Sequence, residues 1–248
     1  MRDQDILRYA RQLVLPAIGA GGQRRLMDAH VMIVGCGGLG CIAAPYLAGA
    51  GIGKLSLVDA GQVELANLHR QWVYRSDQQG MAKTSCLGTH LNHLNPDLSV
   101  TCHQQLFDPA LLEGIDLVLD CTDNAQARTL IARSCWTAGI TLVSAAVVGM
   151  NGQATSFKPA DDQPCRDCIF PEDDSTDDSC SALGVLGPVV GMLASIQATE
   201  AIRQITGMSG GLEGRLMMVE MADMDMRFIK LTKKKDCRFC GSLQSVDH

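Results

Sequence analysis

Gly35-Cys36-Gly37-Gly38-Leu39-Gly40 places four glycines where a short β-branched run, His30–Val34, gives way to a small-residue segment. This is G-x-G-x-x-G between a strand and a helix, and the chemistry it suits is phosphate binding. Glycines let the backbone turn tightly and approach an anion. A helix start adds free N–H groups and the positive end of a dipole. Asp59 closes the next apolar run, where a carboxylate accepts hydrogen bonds from a ribose. These residues read as a nucleotide site. They do not choose between NAD and ATP, and a tight turn with no ligand uses the same glycines.

Asn67-Leu68-His69-Arg70-Gln71 follows, then Lys83 at a helix start. A dinucleotide diphosphate is largely satisfied by backbone N–H groups. A triphosphate being cleaved needs added cations, because charge grows on its phosphorus oxygens and on the leaving pyrophosphate. Taken singly, Arg70 and Lys83 read as ordinary solvated charges, which is what most Arg and Lys are. Asp123, in Cys121-Thr122-Asp123-Asn124, follows the apolar run 117–120. Two readings are equal there: a carboxylate that holds Mg²⁺ against phosphates, or a cap for the helix beginning near Asn124.

Two Cys-x-x-Cys pairs, Cys165/Cys168 and Cys237/Cys240, stand far apart. Four thiolates so paired match a closed, structural tetrahedral zinc site if the fold brings the pairs together. A redox dithiol is the alternative, but neither pair has βαβ surroundings. Cys180 follows an acidic stretch and precedes GVLGPVVG, where a thiol is exposed, although Asp177 and Asp178 oppose its ionisation. The other six cysteines read as buried or incidental. The six histidines show no metal spacing, and the methionines of 217–226 read as sheet core.

The elements that must carry these residues alternate. The patterning predicts helices over 3–15 (amphipathic, with Ile6, Leu7, Leu13 and Val14), 22–28, 39–50, 81–95, 109–113, 124–138 and 188–206. It predicts strands over 30–34, 54–59, 99–104, 117–120, 141–147 and from 152, then two antiparallel strands over 215–221 and 227–230. That order is an α/β fold: a Rossmann-like, doubly wound, mainly parallel sheet with antiparallel C-terminal strands. No linker divides the 248 residues, so one domain is expected, with a helical segment 1–28, a nucleotide-binding part 29–150 and a C-terminal part 151–248. The stretch 161–180 is the expected mobile loop.

Composition excludes other classes. With 46% hydrophobic and 19% charged residues the chain is not disordered, and a net charge of −6 argues against a nucleic-acid partner. No apolar run is long enough for a membrane span, and the start lacks the order of a secretory signal, so a cytoplasmic protein is expected. Its odd count of 11 cysteines then points to metal or thiol chemistry rather than a disulfide framework.

Taken in order, RYxRQ (8–12), GxGGLG (35–40), NLxRQ (67–71), Lys83, CTDN (121–124), the cysteine pairs and CxxxGVxGPVVG (180–191) resemble the ThiF/MoeB/HesA family, bacterial relatives of ubiquitin-activating enzymes, over essentially the whole chain. The resemblance implies an ATP- and Mg²⁺-dependent adenylyltransferase. Its substrate would be a ubiquitin-fold sulfur-carrier protein ending in Gly-Gly, whose carboxylate attacks the α-phosphate ahead of thiocarboxylate formation for thiamine or molybdopterin. By position, Gly35, Gly37, Gly38, Gly40, Asp59, Asn67 and Gln71 bind the nucleotide. Arg70 and Lys83 hold phosphates, and Asp123 positions Mg²⁺. Arg11 acts in the partner's site of a homodimer, Cys180 matches a family thiol, and 151–248 receives the carrier. Gly61 departs from the pattern, since many members have a second acid there, and Ala82 stands where proline is usual. A separate sulfur donor such as a cysteine desulfurase is implied. The rivals are an NAD(P)-dependent oxidoreductase, which leaves Arg70, Lys83, Asp123 and the cysteine pairs without a role, and a non-catalytic zinc-stabilised protein that docks a ubiquitin-like partner.

Overall fold

A computed structural model describes residues 1–171 and 184–241. Its core is one eight-stranded sheet in the order β3-β2-β1-β4-β5-β6-β7-β8. The strands are β1 (His30–Val34), β2 (Lys54–Val58), β3 (Ser99–His103), β4 (Leu117–Asp120), β5 (Thr141–Val148), β6 (Asn151–Phe157), β7 (Arg215–Glu220) and β8 (Asp225–Lys230). The first five are parallel to one another, and the pairings from β5 to β6, β6 to β7 and β7 to β8 are antiparallel. The helices are α1 (Asp3–Arg8), α2 (Ala10–Leu13), α3 (Gly19–Asp28), α4 (Gly40–Ala50), α5 (Lys83–Leu94), α6 (Ala125–Thr137), α7 (Arg166–Ile169) and α8 (Gly187–Thr206). This is the predicted α/β architecture.

The parallel strands are apolar on both sides because both faces are covered. Val31, Ile33, Leu55, Leu57, Leu117 and Leu119 share one core with residues of α4, α5 and α8. Met32, Val34, Val58 and Val118 point the other way, into a core with Ile131 and Cys135 of α6. Pro188 stands in the first turn of α8, as expected of a residue with no N–H to leave unpaired. On the antiparallel half, α8 lies on one face: a Cβ on Gly152 would stand 2.9 Å from Leu193.

Several expectations are corrected. The helix over 3–15 is two short helices, broken at Tyr9, whose ring is buried. Of its predicted apolar residues Ile6, Leu7 and Val14 are exposed and Leu13 is half-buried, and Leu15 is exposed as well. The segment near Pro109 is a 3-10 turn rather than an α-helix. Of the C-terminal methionines, Met217 is core, but Met224 is exposed in the turn before β8, and Met226 is exposed because that strand lies at the sheet edge with every residue accessible. Among the described residues no helix is long and apolar enough to cross a membrane. Residues 172–180 of the expected mobile loop, Cys180 among them, lie outside the described residues, and its first part carries the short helix α7.

Candidate nucleotide site and cysteine cluster

Strand order reverses between β1 and β4, since the chain leaves β1 toward β2 and β3 and returns to β4 on the other side. The loops after these two strands diverge to opposite faces and leave a crevice at the carboxyl edge. The predicted site residues collect there. Gly35 has φ +93°, and a Cβ on it would stand 2.7 Å from the Cys121 carbonyl oxygen, so only glycine lets the two loops meet. A Cβ on Gly40 would overlap the Gly35 carbonyl.

The side chains of the second motif lie over this loop. Positions for a Cβ on Gly37 and Gly38 stand 3.6 Å from Gln71 Nε2 and from Arg70 Cδ respectively. Asn67 Oδ1 accepts a hydrogen bond from Arg70 Nη2 at 2.7 Å, and His69 Nε2 accepts one from Arg70 Nη1 at 2.8 Å. The guanidinium is thereby aimed, and Asn67 orients a cation as well as lining the site. Gln71 is buried, and its Oε1 has no partner among the described residues, an acceptor left for a ligand donor.

Asp59 Oδ2 accepts from the Cys36 N–H at 2.6 Å and Oδ1 from the Gly61 N–H at 2.6 Å. Each oxygen keeps a further lone pair for ribose hydroxyls. Gly61 accounts for its departure from the family pattern: a Cβ there would stand 2.9 Å from Asp59 Oδ1 and 3.6 Å from Lys83 Nζ. The same geometry brings Lys83, at the first turn of α5, beside Asp59. Asp123 is exposed, and the capping alternative falls, because Asn124 is the cap: its Oδ1 accepts from the Ala127 N–H at 2.8 Å. Arg11 is exposed on α2, and among the described residues it has no ion pair.

Thiols under the loop are inert. Burial drives Cys36 and Cys121 well above the usual thiol range and pushes Cys41 up to about 12. Cys102 alone of the six incidental cysteines is exposed. Sequence reasoning missed Tyr74 and Gln197. Tyr74 Oη donates to the Cys36 carbonyl at 2.7 Å, and the fully buried Gln197 of α8 donates to the Asp120 carbonyl at 2.8 Å. Gln197 left no distinct signal, because Ser195, Thr199 and Glu200 stand beside it in the same helix.

The cysteine pairs meet on the far side of α6. The four Sγ atoms lie within 4.8 Å of one another and all four residues are buried. Cys165–Cys168, Cys165–Cys237 and Cys168–Cys240 are 3.8, 3.6 and 3.5 Å apart. Sulfurs bound tetrahedrally at about 2.3 Å stand about 3.8 Å apart, so the donor set fits one ion. Burial opposes the Cys237 thiolate, but the backbone N–H groups of Cys240 and Phe239 together with the Cys165 and Cys168 thiols outweigh it and bring this thiol down to about 7. Residues inside the pairs grip α6: Arg133 donates to Asp167 at 2.6 Å and lies over the Phe239 ring, and Arg166 donates to Thr129 at 3.0 Å.

Comparison with known proteins gives a consistent result. The model of the ThiF family matches residues 9–239. The chain is 38% identical over 248 residues to the molybdopterin-synthase adenylyltransferase of Escherichia coli, covering 97% of this chain and 98% of that protein. It is 38% identical over 245 residues to the sulfur carrier protein ThiS adenylyltransferase of the same organism, covering 97% of each. To the adenylyltransferase and sulfurtransferase MOCS3 of Drosophila grimshawi it is 41% identical over 248 residues, covering 97% of this chain and spanning 55% of that protein's length. Among solved structures, E. coli MccB with ATP superposes with a TM-score of 0.82 at 24% identity, over 94% of this chain and 74% of that one, which is a likeness of fold.

Proposed function

The chain belongs to the ThiF family, and from that premise we propose that it adenylylates the C-terminal glycine of a ubiquitin-fold sulfur-carrier protein at the expense of ATP. The observation that carries this reading is the crevice where Asp59, Arg70, Lys83 and the Asp123 loop surround the glycine turn. Two relatives matched along nearly their full length are named a sulfur carrier protein ThiS adenylyltransferase and a molybdopterin-synthase adenylyltransferase, which supports this reading. Neither an oxidoreductase nor a docking protein needs this set of phosphate-handling groups.

In this reading Gly35–Gly40 and Gln71 seat the nucleotide, Asp59 holds the ribose, and Arg70 and Lys83 hold phosphates. The carrier's carboxylate oxygen attacks the α-phosphorus; the α–β bridging bond breaks, and pyrophosphate leaves with the electron pair. Arg70 and Lys83 offset charge that grows on that leaving group. Asp123 would hold Mg²⁺, which when bound neutralises phosphate charge. The face of β5–β8 away from α8 would receive the carrier. It forms an open groove of about 450 Å³ whose lining includes Ala146, Val148, Gln153, Met218 and Arg227. A homodimer would cover the exposed apolar residues of α1 and α2, and a separate protein would deliver sulfur. ATP–pyrophosphate exchange tests the reading: it should appear only with a carrier ending in Gly-Gly, and exchange absent with both a thiamine-pathway and a molybdopterin-pathway carrier would overturn it.

The cysteine cluster would hold zinc. Four protein sulfurs close the coordination shell, which leaves no position for catalysis. One zinc per chain is expected by elemental analysis of reduced protein, and its absence would discard the assignment. Cys237→Ser should lower the thermal midpoint and solubility more than it weakens ATP binding, because the cluster ties α7 and the C-terminal segment to α6.

A further inference from the structure

We infer that Asp120 is a positioning residue, whose buried carboxylate sets the turn that presents Asp123 to the nucleotide. The inference rests on the reading of Asp123 as the residue that holds Mg²⁺.

Asp120 ends β4 and is 1% exposed. A carboxylate at that depth is costly unless its lone pairs are met. Here three donors meet them. Oδ1 accepts from Thr122 N at 3.1 Å and from Thr122 Oγ1 at 2.7 Å, and Oδ2 accepts from Ser144 Oγ on β5 at 3.0 Å. The backbone is fixed as well. Gln197 Nε2 bridges the carbonyls of Asp120 and Val143 at 2.8 and 2.9 Å, and the Cys121 N–H donates to the Val34 carbonyl at 2.8 Å. Two residues after the strand ends, the chain therefore folds back on Asp120 instead of running on.

The four residues that join β4 to α6 divide accordingly. The Cys121 thiol donates to Gln197 Oε1 at 3.3 Å. The Thr122 hydroxyl is bound to Asp120, and its carbonyl accepts from Arg128 of α6. Asn124 caps α6. Three side chains thus hold the loop, and Asp123, exposed between two anchored neighbours, is left to meet a ligand. The Thr122 amide abuts Gly35, since a Cβ there would stand 3.1 Å from it, so this turn registers the Asp123 loop on the glycine loop. A carboxylate suits this position because all three partners donate and ionised Asp offers only acceptors. Asparagine can keep both Thr122 bonds through Oδ1 while turning its N–H₂ to the Ser144 hydroxyl, which then accepts.

The test compares Asp120→Ala, Asp120→Asn and Thr122→Val with the wild-type chain. Loss of a group that orients a metal ligand typically costs about 10- to 100-fold in metal affinity or activity. For Asp120→Ala a shift of that size is expected in the Mg²⁺ concentration needed for half-maximal ATP–pyrophosphate exchange. Thr122→Val, which keeps the volume and the amide bond, should shift it in the same direction by less, and Asp120→Asn should restore most of it. Without metal, in EDTA, ATP binding should be unchanged, while amide hydrogen exchange over 121–124 should quicken in Asp120→Ala and Thr122→Val. An unaltered Mg²⁺ requirement in Thr122→Val overturns the proposal, and so does metal-free ATP binding that falls in step with exchange. If Asp120→Ala does not fold, Thr122→Val decides alone. Asp123→Asn runs alongside. Its inactivity with a normal Mg²⁺ requirement in Thr122→Val removes only this inference, whereas normal exchange in Asp123→Asn removes the Mg²⁺ reading and this inference together.

Discussion

Asp123→Ala is expected to leave ATP–pyrophosphate exchange at background in a protein that folds normally. The side chain is exposed, and Asn124 rather than Asp123 caps α6, so the substitution removes no helix-capping bond. What it removes is the one carboxylate of the β4–α6 loop that is free to face a ligand. Mg²⁺ held against phosphates contributes several kcal/mol of charge stabilisation, so the loss should be at least about 10²- to 10³-fold in rate. Arg70 and Lys83 cannot replace it, because they remain in place in the variant and already serve the same charge. ATP should still bind weakly through Gly35–Gly40 and Asp59. The measurement is isotopic pyrophosphate exchange beside circular dichroism and a thermal midpoint. Near-normal exchange would remove Asp123 from the chemistry.

Arg11→Ala should be nearly inactive and yet folded and dimeric. Arg11 is exposed on α2 with no ion pair among the described residues, and the neighbouring Leu7, Val14 and Leu15 are exposed as well. A fold-supporting salt bridge within the subunit is the alternative, and this geometry gives it no partner among those residues. Such an apolar segment suits a two-fold partner, which would set the guanidinium over the other subunit's triphosphate. A guanidinium is permanently charged and matches phosphate oxygens with paired donors. Removing a transition-state arginine of this kind costs on the order of 10³-fold or more. Mixing Arg11→Ala with Asp123→Ala under subunit exchange should restore activity, because one site of each hybrid has a good Asp123 and receives a good Arg11. Random exchange makes about half the dimers hybrids with one working site each, so about a quarter of wild-type activity should return. A mixture as inactive as its components would end the in-trans assignment.

The sheet's elements and the local chemistry were written in the chain's own patterning. β1 and β4 fall on the predicted residues, because parallel strands buried on both faces must be continuously apolar and are bounded by glycine or a polar turn. The glycine turn and Asp59 were legible for the same reason, since each stands at the end of a strand, whereas Arg70, in a turn, and Lys83 read singly as ordinary charges and stood out only through the order of the motifs around them. The cysteine pairs were legible as pairs, but 72 residues separate Cys165 from Cys237, and the contact between them is set by β6–β8 and α7. The break at Tyr9 was not legible either, since a ring buried beside Gly51 overrides the helical pattern around it. Nor was the freedom of Asp123. Spacing left capping and metal binding equal, and only the packed loop showed Asn124 taking the cap while Asp120, Ser144 and Gln197 fix the rest. Those three come from β4, β5 and α8, and hydrogen bonds between elements distant in sequence form where tertiary packing excludes water, which no periodicity in the chain encodes.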